Sequence, residues 1–209
     1  MMDAITLLRQ GPVVPVIVVS DAAVAVDLAH ALVAGGIRVL EVTLRTKAAL
    51  AAIRRIRDEV PGAIVGAGTL RTRAQVEASV DAGAEFGVSP GLTPELAAAA
   101  RSSALTFIPG IATPSEAMRA EDEGFLVQKL FPAEAVGGVK LLKSLAGPFP
   151  DLRFCPTGGI DVVRASDYLS LPNVLAVGGS WLTPNDALAA HDWARITQLA
   201  QEACKLAKS

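Results

Sequence analysis

The 209-residue chain is 51% hydrophobic and 19% charged, with a formal net charge of −2. A balance so near neutral gives no reason to expect nucleic acid or an anionic membrane as a partner, so an anion would have to be held by a local site. No uncharged apolar run approaches the roughly 18 residues that a membrane-spanning helix needs.

The opening segment, "MMDAITLLRQG", reads as a short helix with an early Asp3, and it lacks the basic-then-apolar order of a secretion signal. Cys155 and Cys204 form no CxxC pattern, so neither a disulfide nor a zinc site is expected, and the reading is of a cytoplasmic protein. His30 and His191 have no ligand-spaced partner, and neither metal nor cofactor is expected.

Apolar, β-branched runs then recur: "VVPVIVV" (13–19), "RVLEVTL" (38–44), "AIVGAGT" (63–69), "EFGVSPG" (85–91), "TFIPGI" (106–111), "LVQKLFP" (126–132), "RFCPTGG" (153–159) and "VLAVGGS" (174–180). Their starts are 20–27 residues apart, the length of one strand plus one short helix. Helical periodicity fills the gaps, as in "DAAVAVDLAHALVAGG", "KAALAAIRRIRDEV" and "TRAQVEASVDAGA". Ser20 or Asp21 is placed to cap the first of these, and Gly35-Gly36 to end it. Thr93-Pro94 and Thr113-Pro114 set a capping hydroxyl before a first-turn proline. Eight βα units without a linker predict a single (β/α)₈ TIM barrel domain over 1–209, preceded by the short N-terminal helix. Pro90, Pro109, Pro132 and Pro156 fall late in the fourth to seventh runs, where a central strand can no longer carry proline, and predict the C-terminal rim.

The polar residues of interest sit at that rim. In "RVLEVTLRT", Glu41 and Arg45 share strand parity, which turns both inward, either as a structural ion pair or as chemistry. In "LVQKLFP", Lys129 shares a face with Val127 and Phe131 inside a run that is apolar on both sides. An amine held out of water loses the solvation that favours its charged form and can serve as a nucleophile toward a ketone. The alternative is a lysine that pairs with a buried carboxylate and never reacts. "PTGGI" (156–160) and "VGGS" (177–180) follow the last two runs, where barrels of this kind hold phosphate on backbone N–H groups. "GAGT" (66–69) lacks the third glycine of a dinucleotide site; its small residues predict room for a substrate, with Thr69 as a donor.

These segments, with "VPVIVV", "ALVAGGIRVLEVTLRT", "VSPGLTPEL", "KLFPAEAVGG", "AGPF" and "VGGSWL", resemble the bacterial 2-dehydro-3-deoxy-phosphogluconate (KDPG) and 4-hydroxy-2-oxoglutarate aldolases, in order along nearly the whole chain. These are class I aldolases of the Entner–Doudoroff pathway. The resemblance implies that Lys129 forms the Schiff base and that Glu41 is the general acid and base. It implies that Arg45 and Thr69 hold the pyruvyl carboxylate, that Thr157 lies beside the carbonyl, that Phe131 contacts the substrate, and that Gly158, Gly159, Gly179 and Ser180 contact the phosphate. It further implies a phosphorylated 2-oxo acid as substrate and a homotrimer. One departure is Leu130, where many relatives have phenylalanine. A phosphogalactonate-type aldolase, a phosphate-binding barrel isomerase or epimerase, and a non-catalytic phosphosugar sensor are the competing readings.

Overall fold

Asp3 caps the first helix, α1 (Ala4–Leu8), its carboxylate accepting from the Thr6 N–H at 2.9 Å. From there the computed structural model, which describes residues 2–206, largely alternates strand and helix. β1 (Val13–Ile17), α2 (Ala22–Ala34), β2 (Val39–Thr43), α3 (Ala49–Glu59), β3 (Ile64–Gly68), α4 (Arg73–Asp81), β4 (Phe86–Val88) and α5 (Pro94–Ser102) make the first half. The second half runs through β5 (Thr106–Ile108), β6 (Gly110–Ile111), α6 (Pro114–Asp122), β7 (Val127–Leu130), α7 (Gly138–Leu145), β8 (Arg153–Phe154), α8 (Val162–Leu169) and β9 (Val177–Gly179). Two helices, α9 (Asn185–Ala189) and α10 (Trp193–Cys204), follow the last strand.

The helix punctuation works as the side chains dictate. Asp21 caps α2, and Gly35 ends it. Thr93 and Thr113 cap α5 and α6, each with proline in the first turn, and Glu116 returns the bond to complete a capping box at Thr113.

The strands pair in parallel throughout the two sheets. Six strands lie in the order β5-β4-β3-β2-β1-β9 and three in the order β6-β7-β8, giving an α/β fold with a curled parallel sheet. Isolated parallel bridges link Phe154 to Val174 and Thr157 to Gly178, between the segments of β8 and β9.

Each of the eight apolar runs contains a strand, but the strands are shorter than the runs. Pro109 divides the fifth run, so β5 pairs with β4 while β6 pairs with β7. Pro132 and Pro156 lie just past β7 and β8, because a residue without N–H cannot extend the ladder. Pro15 is an exception to the rule that a central strand excludes proline. It sits inside β1 where pairing changes hands: the register with β9 ends at Pro15, and that with β2 begins at Val16.

Strand alternation sorts the core into two layers. Leu40, Val42, Val65, Phe107, Leu130 and Phe154 face the helices. Val14, Val39, Ile64, Phe86, Ile108, Val127 and Cys155 face inward, packed below by Leu7 and Leu8 of α1, each 1% exposed. Truncating either leucine to alanine would cost about 2–5 kcal/mol, since the cavity left at the end of the inner layer has nothing to refill it. With the lower inner layer filled by hydrocarbon, the inward charged side chains, Glu41 at the middle of β2 and Lys129 late in β7, lie above it.

Candidate active site

Lys129 comes from β7, the strand buried at all four positions. Its backbone N–H donates to Pro109 O at 2.8 Å, and it pairs across the ladder with Gly110. Alternation sends its side chain inward, while Leu130, 0% exposed, packs among the outer layer. The departure from phenylalanine at 130 therefore falls on the face away from the amine. Lys129 Nζ ends 3.4 Å from Glu41 Oε1 and 5.3 Å from the centre of the Phe131 ring. Only 6% and 3% of the two charged side chains are exposed.

Glu41 stands on β2 opposite Gly66 of β3. The glycines of "GAGT" do not leave open room for a substrate, as the composition suggested. Phe86 fills the place of a side chain at Gly66, and Glu41 fills that at Gly68, where an added Cβ would lie 2.2 Å from Oε1. Gly68 is thus what allows the carboxylate to lean toward the rim. The expected pairing of Glu41 with Arg45 is also corrected. β2 ends at Thr43, so Arg45 lies in the following turn, beyond the reach of strand parity, and its Nε donates to Thr69 Oγ1 at 3.2 Å. Thr69 follows β3 with φ 62°, a left-handed conformation that a β-branched residue rarely adopts. The partner that Glu41 does have is Lys129.

Thr157 is buried beyond the end of β8, with its hydroxyl donating to Cys155 O at 3.4 Å. Its neighbour Gly178 again supplies space, since a Cβ there would stand 2.2 Å from Thr157 Oγ1. Gly178 shares inward parity with Ala176, whereas Gly179 faces outward beneath the Trp181 ring and can meet an inner ligand only through its backbone. Gly158 and Gly159 have φ of 105° and 78°, which other residues enter only with strain. Among the described residues, the N–H groups of Gly158, Gly159 and Ser180 donate to no other protein group. Such unspent backbone donors are what an anion requires. Cys155 lies inward one strand over from Lys129; burial pushes its thiol up to about 12, against the pull of the Lys129 charge. It is a small apolar filler here, not a second nucleophile.

The arrangement offers an amine, a carboxylate within proton-transfer reach, an arginine–threonine pair at the rim and a loop of free N–H donors. The competing reading of Lys129, as a lysine paired with a buried carboxylate, describes the geometry but leaves the other rim groups without a task.

Comparison with known proteins decides the lineage. A profile of the KDPG and KHG aldolases matches residues 4–199. The chain belongs to that family. It is 57% identical over 194 residues to the 2-dehydro-3-deoxy-phosphogluconate aldolase of Pseudoalteromonas atlantica, covering 93% of this chain and 90% of that one. It is likewise 57% identical over 206 residues to the KHG/KDPG aldolase of Escherichia coli K12, covering 99% and 97%. Among solved structures, the KDPG aldolase of Legionella pneumophila, with pyruvate captured at low pH as a covalent carbinolamine intermediate, superposes with a TM-score of 0.95 at 44% identity, covering 97% of this chain and 98% of that one. Members of this family are lyases, and the isomerase and sensor readings fall away with that finding.

Proposed function

We propose that this aldolase cleaves KDPG to pyruvate and D-glyceraldehyde 3-phosphate, and 4-hydroxy-2-oxoglutarate to pyruvate and glyoxylate. The observation that carries the reading is the buried approach of Lys129 Nζ to Glu41 Oε1 at 3.4 Å. That distance is longer than a tight charge-assisted contact, so the amine is close enough to exchange a proton yet free to turn toward a carbonyl.

Transfer of a proton from Lys129 to Glu41 leaves a neutral amine, which attacks the C2 ketone to form a carbinolamine. Glu41 returns that proton to the leaving hydroxyl, so water departs, a protonated imine remains as an electron sink on the substrate itself, and Glu41 is ionised again. Glu41 takes the C4 hydroxyl proton as the C3–C4 bond breaks, and the bonding electrons move to the imine nitrogen as an enamine. The aldehyde leaves. Protonation at C3 restores the imine, and water then releases pyruvate and the free amine. Arg45 and Thr69 are assigned to the pyruvyl carboxylate, Phe131 and Thr157 to the walls beside the carbonyl, and Gly158, Gly159, Gly179 and Ser180 to the phosphate. The free N–H groups of the diglycine loop support the last of these.

The same reading takes the chain as one (β/α)₈ barrel domain. The bridge from Thr157 to Gly178 and the hydrogen bond from Lys129 N to Pro109 O support closure of the two sheets into one cylinder. Among the described residues no helix is long and apolar enough to cross a membrane. A homotrimer in the cytoplasm is the working assembly; a molar mass from light scattering three times that of the chain is the expected result.

Incubation with pyruvate and borohydride, followed by mass mapping, tests the reading. A stable adduct on Lys129, absent in Lys129→Ala, is expected. An unmodified Lys129 together with full activity in the alanine variant would sink it.

A further inference from the structure

Glu134 takes no part in the chemistry above, yet it ties its own turn to the diglycine loop through its backbone and to α8 through its carboxylate. It opens the 3-10 turn Glu134–Val136 that follows the Lys129 strand. Its backbone N–H donates to Gly158 O at 3.1 Å, and that of Ala133 donates to Thr157 O at 2.8 Å, which ties this loop to the diglycine loop main chain to main chain. One carboxylate oxygen accepts from the hydroxyl of Tyr168, a side chain only 1% exposed. The other lies 3.4 Å from Arg164 Nε. Arg164 also holds Asp161 at 2.6 Å, and Asp161 caps α8.

Both loops are shaped around this pair. A Cβ on Gly159 would stand 2.8 Å from Glu134 Cβ and Cγ, and one on Gly138 would stand 2.6 Å from the Tyr168 hydroxyl. Burial and the adjacent carboxylate raise the Tyr168 hydroxyl above its ordinary value, which keeps it a donor. A carboxylate beside a phosphate loop would otherwise repel the ligand. Here Tyr168 and Arg164 occupy its two oxygens, so its charge is spent on the scaffold.

We propose that Glu134 is a positioning residue which, held by Tyr168 and Arg164, sets the Gly158–Gly159 loop for the phosphate end of the substrate and so favours phosphorylated over unphosphorylated 2-oxo acids. The proposal rests on the aldolase reading above, and it makes a prediction opposite in sign to bare electrostatics. Deleting a negative charge near an anion should tighten binding; deleting a positioning group should weaken it.

The test is calorimetric titration with 3-phosphoglycerate, with pyruvate trapping by borohydride measured in parallel. Glu134→Ala and Tyr168→Phe are expected to weaken 3-phosphoglycerate binding about tenfold, while the extent of pyruvate trapping on Lys129 stays at the wild-type level. Glu134→Gln keeps an acceptor for Tyr168 and is expected to recover most of the affinity. Unchanged or tighter binding in Glu134→Ala overturns the proposal, as does parallel loss of binding and trapping, which marks a general structural role. A wild-type chain that traps no pyruvate instead overturns the aldolase reading, and the phosphoglycerate titration still decides the role of Glu134.

Discussion

Nζ of Lys129 lies 3.4 Å from Oε1 of Glu41, although 88 residues separate them in sequence, and both side chains are almost wholly out of water. Desolvating two charges costs several kcal/mol each, and their attraction at this distance does not reliably offset it. A hydrophobic pair would serve the fold as well. The charges therefore make sense as chemistry carried at some expense of stability.

That argument separates stability from turnover. Glu41→Gln should lower kcat by about 10²–10⁴ through loss of the proton acceptor. It should also destabilise the fold by about 3–5 kcal/mol, because the Lys129 charge is left buried alone. Adding Lys129→Met should recover most of that stability while removing the residual activity. Denaturant unfolding of the two single variants and the double variant measures the coupling. Additive losses in the double variant would mean that the two side chains do not share a buried pair.

The glycines beneath the site give a second expectation. Gly68→Ala and Gly178→Ala each place a methyl 2.2 Å from a functional oxygen, of Glu41 and Thr157 respectively. Either oxygen must move, and a displacement of this size costs about 10²-fold in rate. Gly147→Ala, where nothing lies within 4 Å of the new Cβ, is the control and should leave the steady-state rate unchanged. Wild-type kcat in Gly68→Ala would show that the carboxylate acts equally well without the space that Gly68 leaves it.

Much of this is legible in one dimension. The βα rhythm, the threonine–proline caps and the inward parity of Lys129 follow from local patterns, and each has its counterpart in the fold. The departures come where the third dimension decides. Strand parity does not carry through to Arg45, because β2 ends at Thr43 and the guanidinium reaches Thr69 from a turn. The glycines of "GAGT" suggest empty space, yet Phe86 and Glu41, from neighbouring strands, occupy it. The tasks of Gly178 and Glu134 leave no mark in the local pattern, because they depend on Thr157 and Tyr168, partners distant in sequence. A glycine in a string of letters does not say whether it clears room for a ligand or for a neighbour.

The two ends of the site should separate kinetically, because the two substrates share the pyruvyl portion but only one carries phosphate. Arg45→Lys replaces the guanidinium whose Nε meets Thr69 at 3.2 Å with a point charge of different reach. It should raise KM about tenfold for KDPG and 4-hydroxy-2-oxoglutarate alike. Ser180→Asp sets a carboxylate at the loop after β9 and should raise KM for KDPG by about tenfold or more through like-charge repulsion, with 4-hydroxy-2-oxoglutarate within about twofold of wild type. Steady-state kinetics of both variants on both substrates gives four ratios. Equal loss on the two substrates in Ser180→Asp would remove the phosphate from the β9 loop, and a loss confined to KDPG in Arg45→Lys would move Arg45 to the phosphate end.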